Sequence, residues 1–295
     1  MRILAEDEWR ARVAAHETRA DALTAGHRAR RVAGATHPVE DFLFTYYGWT
    51  PGRLRRWHPG AGVGLASAGP TRHAAWRFYR RAGDVVLVDV ATFLEARGDT
   101  VRFVRDLVGR TAAHPGRFGC FGLHEWAMVY RLPQVGVRHS SWPLRLGQSQ
   151  TDAVVEAHHV SCSHFDAYRF FTPDAAPRNA LRPTRASQGA YEQPGCLHAG
   201  MDLYKWAMKL SPAVGSDLAL DAFELARELR ELDMRASPYD LRALGYEPVR
   251  IETPEGKAQY VEEQRRFSER SQALRARLVE AIDELLALSG AARAG

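Results

Sequence analysis

Lysine is nearly missing from this chain: among 40 basic residues only Lys205, Lys209 and Lys257 are lysines. The rest are arginines. With so much alanine and glycine this is the bias of a GC-rich genome, so a net charge of +5 and an isoelectric point near 9.3 say little by themselves about an anionic partner. Cysteine is equally scarce. The three at positions 120, 162 and 196 are an odd count that offers no disulfide framework and suits a reducing compartment. Apolar runs of the ~18 residues that a membrane span needs are missing, so no membrane partner is expected. The N-terminal stretch Met1 to Glu8 is too acidic for a secretory signal. A cytoplasmic protein is therefore expected, and neither internal repeats nor low-complexity tracts interrupt it.

What is present reads as mostly helical. Residues 6–33 carry helical spacing through Trp9, Val13 and Leu23, and Thr36 offers an N-cap for a short amphipathic helix over 37–48. A Gly- and Pro-rich loop covers 49–71. Its Gly60-Ala-Gly62-Val-Gly64 run lacks the preceding strand and following helix that a dinucleotide fingerprint requires. Trp76–Arg80 and Val85–Asp89 read as a hairpin, followed by a helix over 91–113. Further helices are expected around His124 and over 197–210, 216–232 and 254–288. A strand is expected over Val160–Phe171, a Pro-rich loop over 173–195 and a short strand at Val249–Glu252. The fold class is α+β, predominantly α-helical: a single compact domain with a small β-rich insertion. Its parts are an N-terminal helical segment at 1–48, a β-hairpin region at 72–90, a helical and strand core at 91–253 and a C-terminal long helix at 254–290.

Four windows each set a histidine beside a carboxylate in an aromatic frame: His37 with Glu40 and Asp41 before Tyr46 and Tyr47; His124 with Glu125 and Trp126; His164 with Asp166 and Tyr168; and His198 with Asp202, Tyr204, Lys205 and Trp206. Imidazoles and carboxylates are costly to bury unless they pair, bind a metal or do chemistry, so the windows are expected to converge on one pocket. Each has a plainer explanation as well. Acids after His37 suit a helix start, the strand places Cys162, His164, Asp166 and Tyr168 on one face as a catalytic pair, metal ligands or a buried hydrogen-bonded pair, and adjacent His124 and Glu125 point apart on a helix. His198, Asp202, Lys205 and Lys209 form a polar helical stripe holding two of the three lysines. An amine can change protonation state or form a Schiff base where a guanidinium cannot, but Asp202 and Lys205 are also spaced for an ordinary ion pair.

Every cysteine precedes one of these histidines by two or four positions. Imidazole with carboxylate suits iron, manganese or zinc, and thiolate with imidazole suits zinc; a buried cysteine also serves as a small apolar filler. Clustered arginines beside aromatics, at 28–31, at 53–56 next to Trp57 and at 77–81 with Trp76 and Tyr79, have the chemistry of phosphate neutralisation and base stacking as well as that of solvated surface.

The segments His37 to Tyr47, Phe118 to Arg131, Cys162 to Thr172, Gln193 to Lys205 and Asp233 to Asp240 resemble an actinobacterial family catalogued as 3-methyladenine DNA glycosylase, nearly end to end. The resemblance implies base excision of alkylated purines from DNA without a cofactor. Such chemistry needs an aromatic slot, for which Tyr46, Tyr47, Trp126, Tyr168 and Trp206 are candidates. It needs a carboxylate, Asp166 or Asp202, assisted by Lys205, and phosphate contacts from Arg178, Arg182 and Arg185. The alternative from residue chemistry is an iron, manganese or zinc oxidoreductase or hydrolase acting on a small molecule, with His37, Glu40, His124, His164, Asp166 and His198 as the ligand pool. A third reading is a nucleic-acid-binding module with a structural polar core.

Overall fold

A computed structural model describes residues 1–132 and 142–291. Strand β1 (Arg2–Leu4) leads into α1 (Glu6–Val32), whose first turn carries Glu6, Asp7 and Glu8 and whose last turn carries Arg30 and Arg31, each sign placed where the helix dipole favours it. There follow α2 (Phe42–Tyr47), α3 (Pro51–Leu54), β2 (Val63–Leu65), α4 (Arg72–Ala75), β3 (Tyr79–Ala82), β4 (Val85–Val88) and α5 (Val90–Ala113). The chain continues through α6 (Leu123–Ala127), α7 (Gly147–Ala157), α8 (Phe165–Tyr168), α9 (Gln188–Tyr191), α10 (Leu197–Leu210), α11 (Ser216–Arg235) and α12 (Pro254–Ala291). It is 59% helical with one small sheet, so the class is α+β and mostly α.

Two compact units emerge, each assembled from separate stretches of chain. The first takes Met1–Gly109, Asp202–Ala226 and Ala273–Gly295, and the second Arg110–Met201 and Arg227–Gln272, so the boundary falls inside α5, α10, α11 and α12. The first unit holds the sheet, in the order β1-β2-β4-β3, with β1 parallel to β2 and the other pairs antiparallel. Leu4, Leu65 and Val86 on its inner face pack with Trp9, Trp57 and Ala68. A second core in the same unit is aromatic: Tyr204 meets Phe223 and Tyr47 edge-on, and Phe223 packs against Phe44.

The long helices and the hairpin form where expected, and several short elements differ. The expected helix over 37–48 shrinks to α2, because the His37 ring closes the preceding turn by accepting hydrogen bonds from the Val39 and Glu40 amides. His37, Glu40 and Asp41 consequently do not share a helical face. The strand over Val160–Phe171 does not form. Asn179 takes both backbone groups of Cys162, accepting from its N–H at 2.7 Å and donating to its carbonyl at 2.9 Å, and from Phe165 the chain turns into α8. His164 and Asp166 therefore lack the common face that a strand would give them. Val249–Glu252 is likewise not a strand, since Val249 donates to the Arg235 carbonyl at the end of α11 and a turn follows. The loop at 49–71 contains α3, capped by the Thr50 side chain with Pro51 at its first turn, and β2.

Candidate metal centre

Within the second unit α6, α10 and α11 bring His124, His198 and Asp233 together in the interior. Helix α6 starts after Gly122, whose φ of 67° is left-handed and costs a Cβ-bearing residue strain. It is pinned at its far side by Trp126, fully buried, whose indole donates to the Ala236 carbonyl at 2.8 Å. That anchor turns His124 and Glu125 inward. His198 enters one residue into α10, after a backbone so closely packed that a Cβ on Gly195 would lie 2.5 Å from the Arg117 carbonyl oxygen. Asp233 comes from α11, where Arg230 and Asp233 continue the stripe of Phe223, Ala226 and Leu229 and are buried as deeply as those apolar residues.

One ligand atom from each of His124, His198 and Asp233 lies within 4.8 Å of the others. His124 Nε2 is 2.9 Å from Asp233 Oδ1, a close contact of imidazole and carboxylate, and neither atom has another hydrogen-bond partner among the described residues. The other Asp233 oxygen, Oδ2, accepts from Arg230 at 2.7 Å, and Arg230 also donates to Glu125 at 2.9 Å. Arg230 thus fixes the carboxylate's orientation while leaving Oδ1 facing the imidazoles. The His198 ring stands edge-on to His124 at 4.5 Å between centroids, and His164 lies 5.3 Å beyond, with its Nε2 3.3 Å from Glu192 Oε1.

His124, His164 and His198 border a cavity of about 40 Å³, room for about two or three waters. Cys120, Cys162 and Cys196 all line it beside the three histidines. Burial pushes the Cys162 thiol up to about 12 and raises Cys120 and Cys196 too, so all three remain protonated near neutrality. Cys162 uses its proton toward the His164 carbonyl, and Cys120 accepts from Gln264. Burial also pushes His198 well below the ordinary imidazole value, with the neighbouring His124 charge adding to the effect, and leaves it neutral. For Asp233 burial acts upward, but His124, His198 and Arg230 outweigh it and hold the carboxyl ionised. Burial lowers His124, and the Asp233 charge more than restores it. The Tyr260 hydroxyl is fully buried at the cavity wall beside the Cys120 thiol, and burial keeps its proton in place.

Three of the four histidine windows therefore meet, and the fourth lies elsewhere: His37 and Glu40 belong to the first unit, as does Asp41, which is bound by His27 and Arg30. Asp166 pairs with Arg169 at the surface side of α8. Asp202 and Lys205, in the first unit, form an ion pair, and Asp202 also accepts from the Tyr47 hydroxyl at 2.8 Å. Lys205 and Lys209 lie over the Trp206 ring, which packs edge-on against Phe103. Tyr46 stacks on Phe42, and Tyr168 packs against Phe171. Arg178 lies over Tyr130, Arg182 bonds its own loop's carbonyls and Arg185 lies over Phe165. The residues missed in the sequence are Asp233, Arg230, Glu192 and Tyr260. For the first two a signal existed, a charged pair at positions that an apolar helical stripe should occupy.

Comparison of the chain with protein-family models, curated proteins and solved structures finds no match.

Proposed function

We propose that the second unit is a metal-dependent catalytic centre in which His124, His198 and Asp233 hold one divalent ion and the chain acts on a molecule of only a few heavy atoms, the size the adjoining cavity admits. The observation that carries this reading is the buried cluster itself: His124, His198 and Asp233 each turn a ligand atom to within 4.8 Å of the other two. Donors sharing one ion at ~2.0–2.2 Å lie roughly 3–4 Å apart, so the observed spread within 4.8 Å needs only small side-chain adjustments. Two imidazoles and one carboxylate with neutral thiols nearby suit iron or manganese better than a thiolate zinc site. Such an ion supplies Lewis acidity and an activated water. Arg230 and Glu125 orient the carboxylate, as outer partners of ligands commonly do. His164, supported by Glu192, and the Tyr260 hydroxyl are placed to exchange or donate protons to whatever occupies the cavity.

The base excision implied by the resemblance is the second reading. Its strongest carboxylate, Asp202, is nearly fully buried and already engaged by Tyr47 and Lys205, which gives it less support than the metal centre.

The test is metal analysis of untagged protein purified without added metals, beside Asp233→Asn and His198→Gln. About one equivalent of iron or manganese in the parent protein, lost in both variants, is expected. The same preparations should be incubated with duplex DNA carrying 3-methyladenine, with and without chelator. Base release that survives chelation, from protein containing no metal, overturns the proposal in favour of the glycosylase.

A further inference from the structure

The first unit carries a second concave site that the metal centre does not use. Arg53 from α3, Arg56 just beyond it, Arg77 before β3 and Arg97 on α5 surround a cavity of about 300 Å³ together with His58, Trp76 and Phe78. Several arginines elsewhere in this unit are matched with acids: Arg19 with Asp221 and Glu224, Arg55 with Glu17 and Asp21, Arg105 with Asp283. None of the four around this cavity makes an ion pair among the described residues, and no carboxylate lines it. Burial and the charges of Arg56 and Arg97 lower the basicity of Arg53, a mark of uncompensated positive charge. Four exposed guanidiniums with no acid between them offer an anion a positively charged concave surface.

Aromatic rings hold the cations in place. The guanidinium of Arg53 lies 4.5 Å over Trp49, that of Arg77 4.4 Å over Phe78 and that of Arg56 5.6 Å over Trp76. A guanidinium resting on a ring keeps its N–H edge free for bidentate contact with phosphate oxygens. His58, bonded through Nδ1 to the Tyr79 hydroxyl at 2.9 Å, is driven to about 3 by burial and the surrounding cations; it is therefore a neutral imidazole at the wall. Arg56 and Trp76 are shared with a larger cavity of about 760 Å³, where Trp9, Trp57 and His73 stand beside Arg10, Arg55, Arg72 and Glu17. Guanidiniums clustered around Trp76, the ring common to both cavities, match a molecule with a phosphate end and a flat body.

We propose that the paired cavities of the first unit bind a nucleotide, with its phosphates among Arg53, Arg56, Arg77 and Arg97 and its base toward Trp76 and the larger cavity. This stands apart from the metal reading, because no residue of the metal centre takes part. The test is titration of the full-length protein with ADP, adenosine, inorganic pyrophosphate and a ten-nucleotide oligothymidylate, followed by calorimetry and tryptophan fluorescence. ADP should bind at least about tenfold more tightly than either adenosine or pyrophosphate. Arg53→Gln with Arg97→Gln, both exposed positions, should weaken ADP about tenfold or more, since one charge-assisted hydrogen bond is worth that much, with the thermal midpoint unchanged. No saturable ADP binding, pyrophosphate binding equal to ADP, or ADP binding indifferent to the double variant overturns the proposal. So does an oligonucleotide that binds far more tightly than ADP and loses its affinity in that variant, which would make the surface a nucleic-acid track.

Discussion

Asp202 shows how one residue decides between chemistry and architecture. Asp202 is 2% exposed, and its carboxylate accepts from Tyr47 and pairs with Lys205, so removing the charge breaks a largely buried ion pair. Asp202→Asn should therefore cost about 3 kcal/mol, and Tyr47→Phe about 1–2 kcal/mol, measured by urea denaturation. The double variant should lose less than the sum because the two share one interaction. If Asp202→Asn instead leaves the denaturation midpoint unchanged, the structural account of this cluster fails. The sequence exposed the spacing of Asp202 and Lys205 but not the hydroxyl that reaches Asp202 from 155 residues away. Likewise His124, His164 and His198 stood out as residue types, while Asp233 and Arg230 were hidden because the helical pattern around them is otherwise apolar. Buried charge is legible in a sequence only when a reader asks which stripe it interrupts.

Among elements, the attachment of the 37–41 turn to α1 is electrostatic. Asp41 accepts from Arg30 at 2.6 Å and His27 at 2.9 Å, and from the His37 backbone N–H at 2.9 Å. Burial acts to raise its pKa, but the hydrogen bonds from Arg30 and His27 and the Arg30 charge outweigh it and leave it below the usual 3.8. A carboxylate with a lowered folded value stabilises fully above the unfolded value and loses that contribution as the pH falls through the folded one. Asp41→Asn should thus be less stable than the parent by about 2 kcal/mol near neutrality, with the gap closing on acidification below about pH 4. A gap that persists unchanged at low pH would show that shape, and not charge, holds this turn. The long helices were readable because their apolar periodicity extends over many residues. The missing strand at 160–171 was not, because a single distant side chain, Asn179, supplies the partner that a second strand would have provided.

For the whole molecule, the interleaving of the two units has practical consequences. The metal-centre residues lie on either side of an insertion that belongs to the first unit, His124 and His198 before it and Asp233 after it. A fragment covering 110–201 should therefore bind no metal, checked by metal analysis after refolding with iron or manganese; stoichiometric binding by that fragment would show that Asp233 is dispensable. The tightness of the cavity has a kinetic corollary. With room for only two or three waters, a chelator the size of EDTA cannot reach an ion held by His124, His198 and Asp233 until the surrounding helices part. Extraction should then saturate as chelator concentration rises and level off at the rate of that parting, which turns a routine stripping assay into a stopwatch for the protein's own breathing.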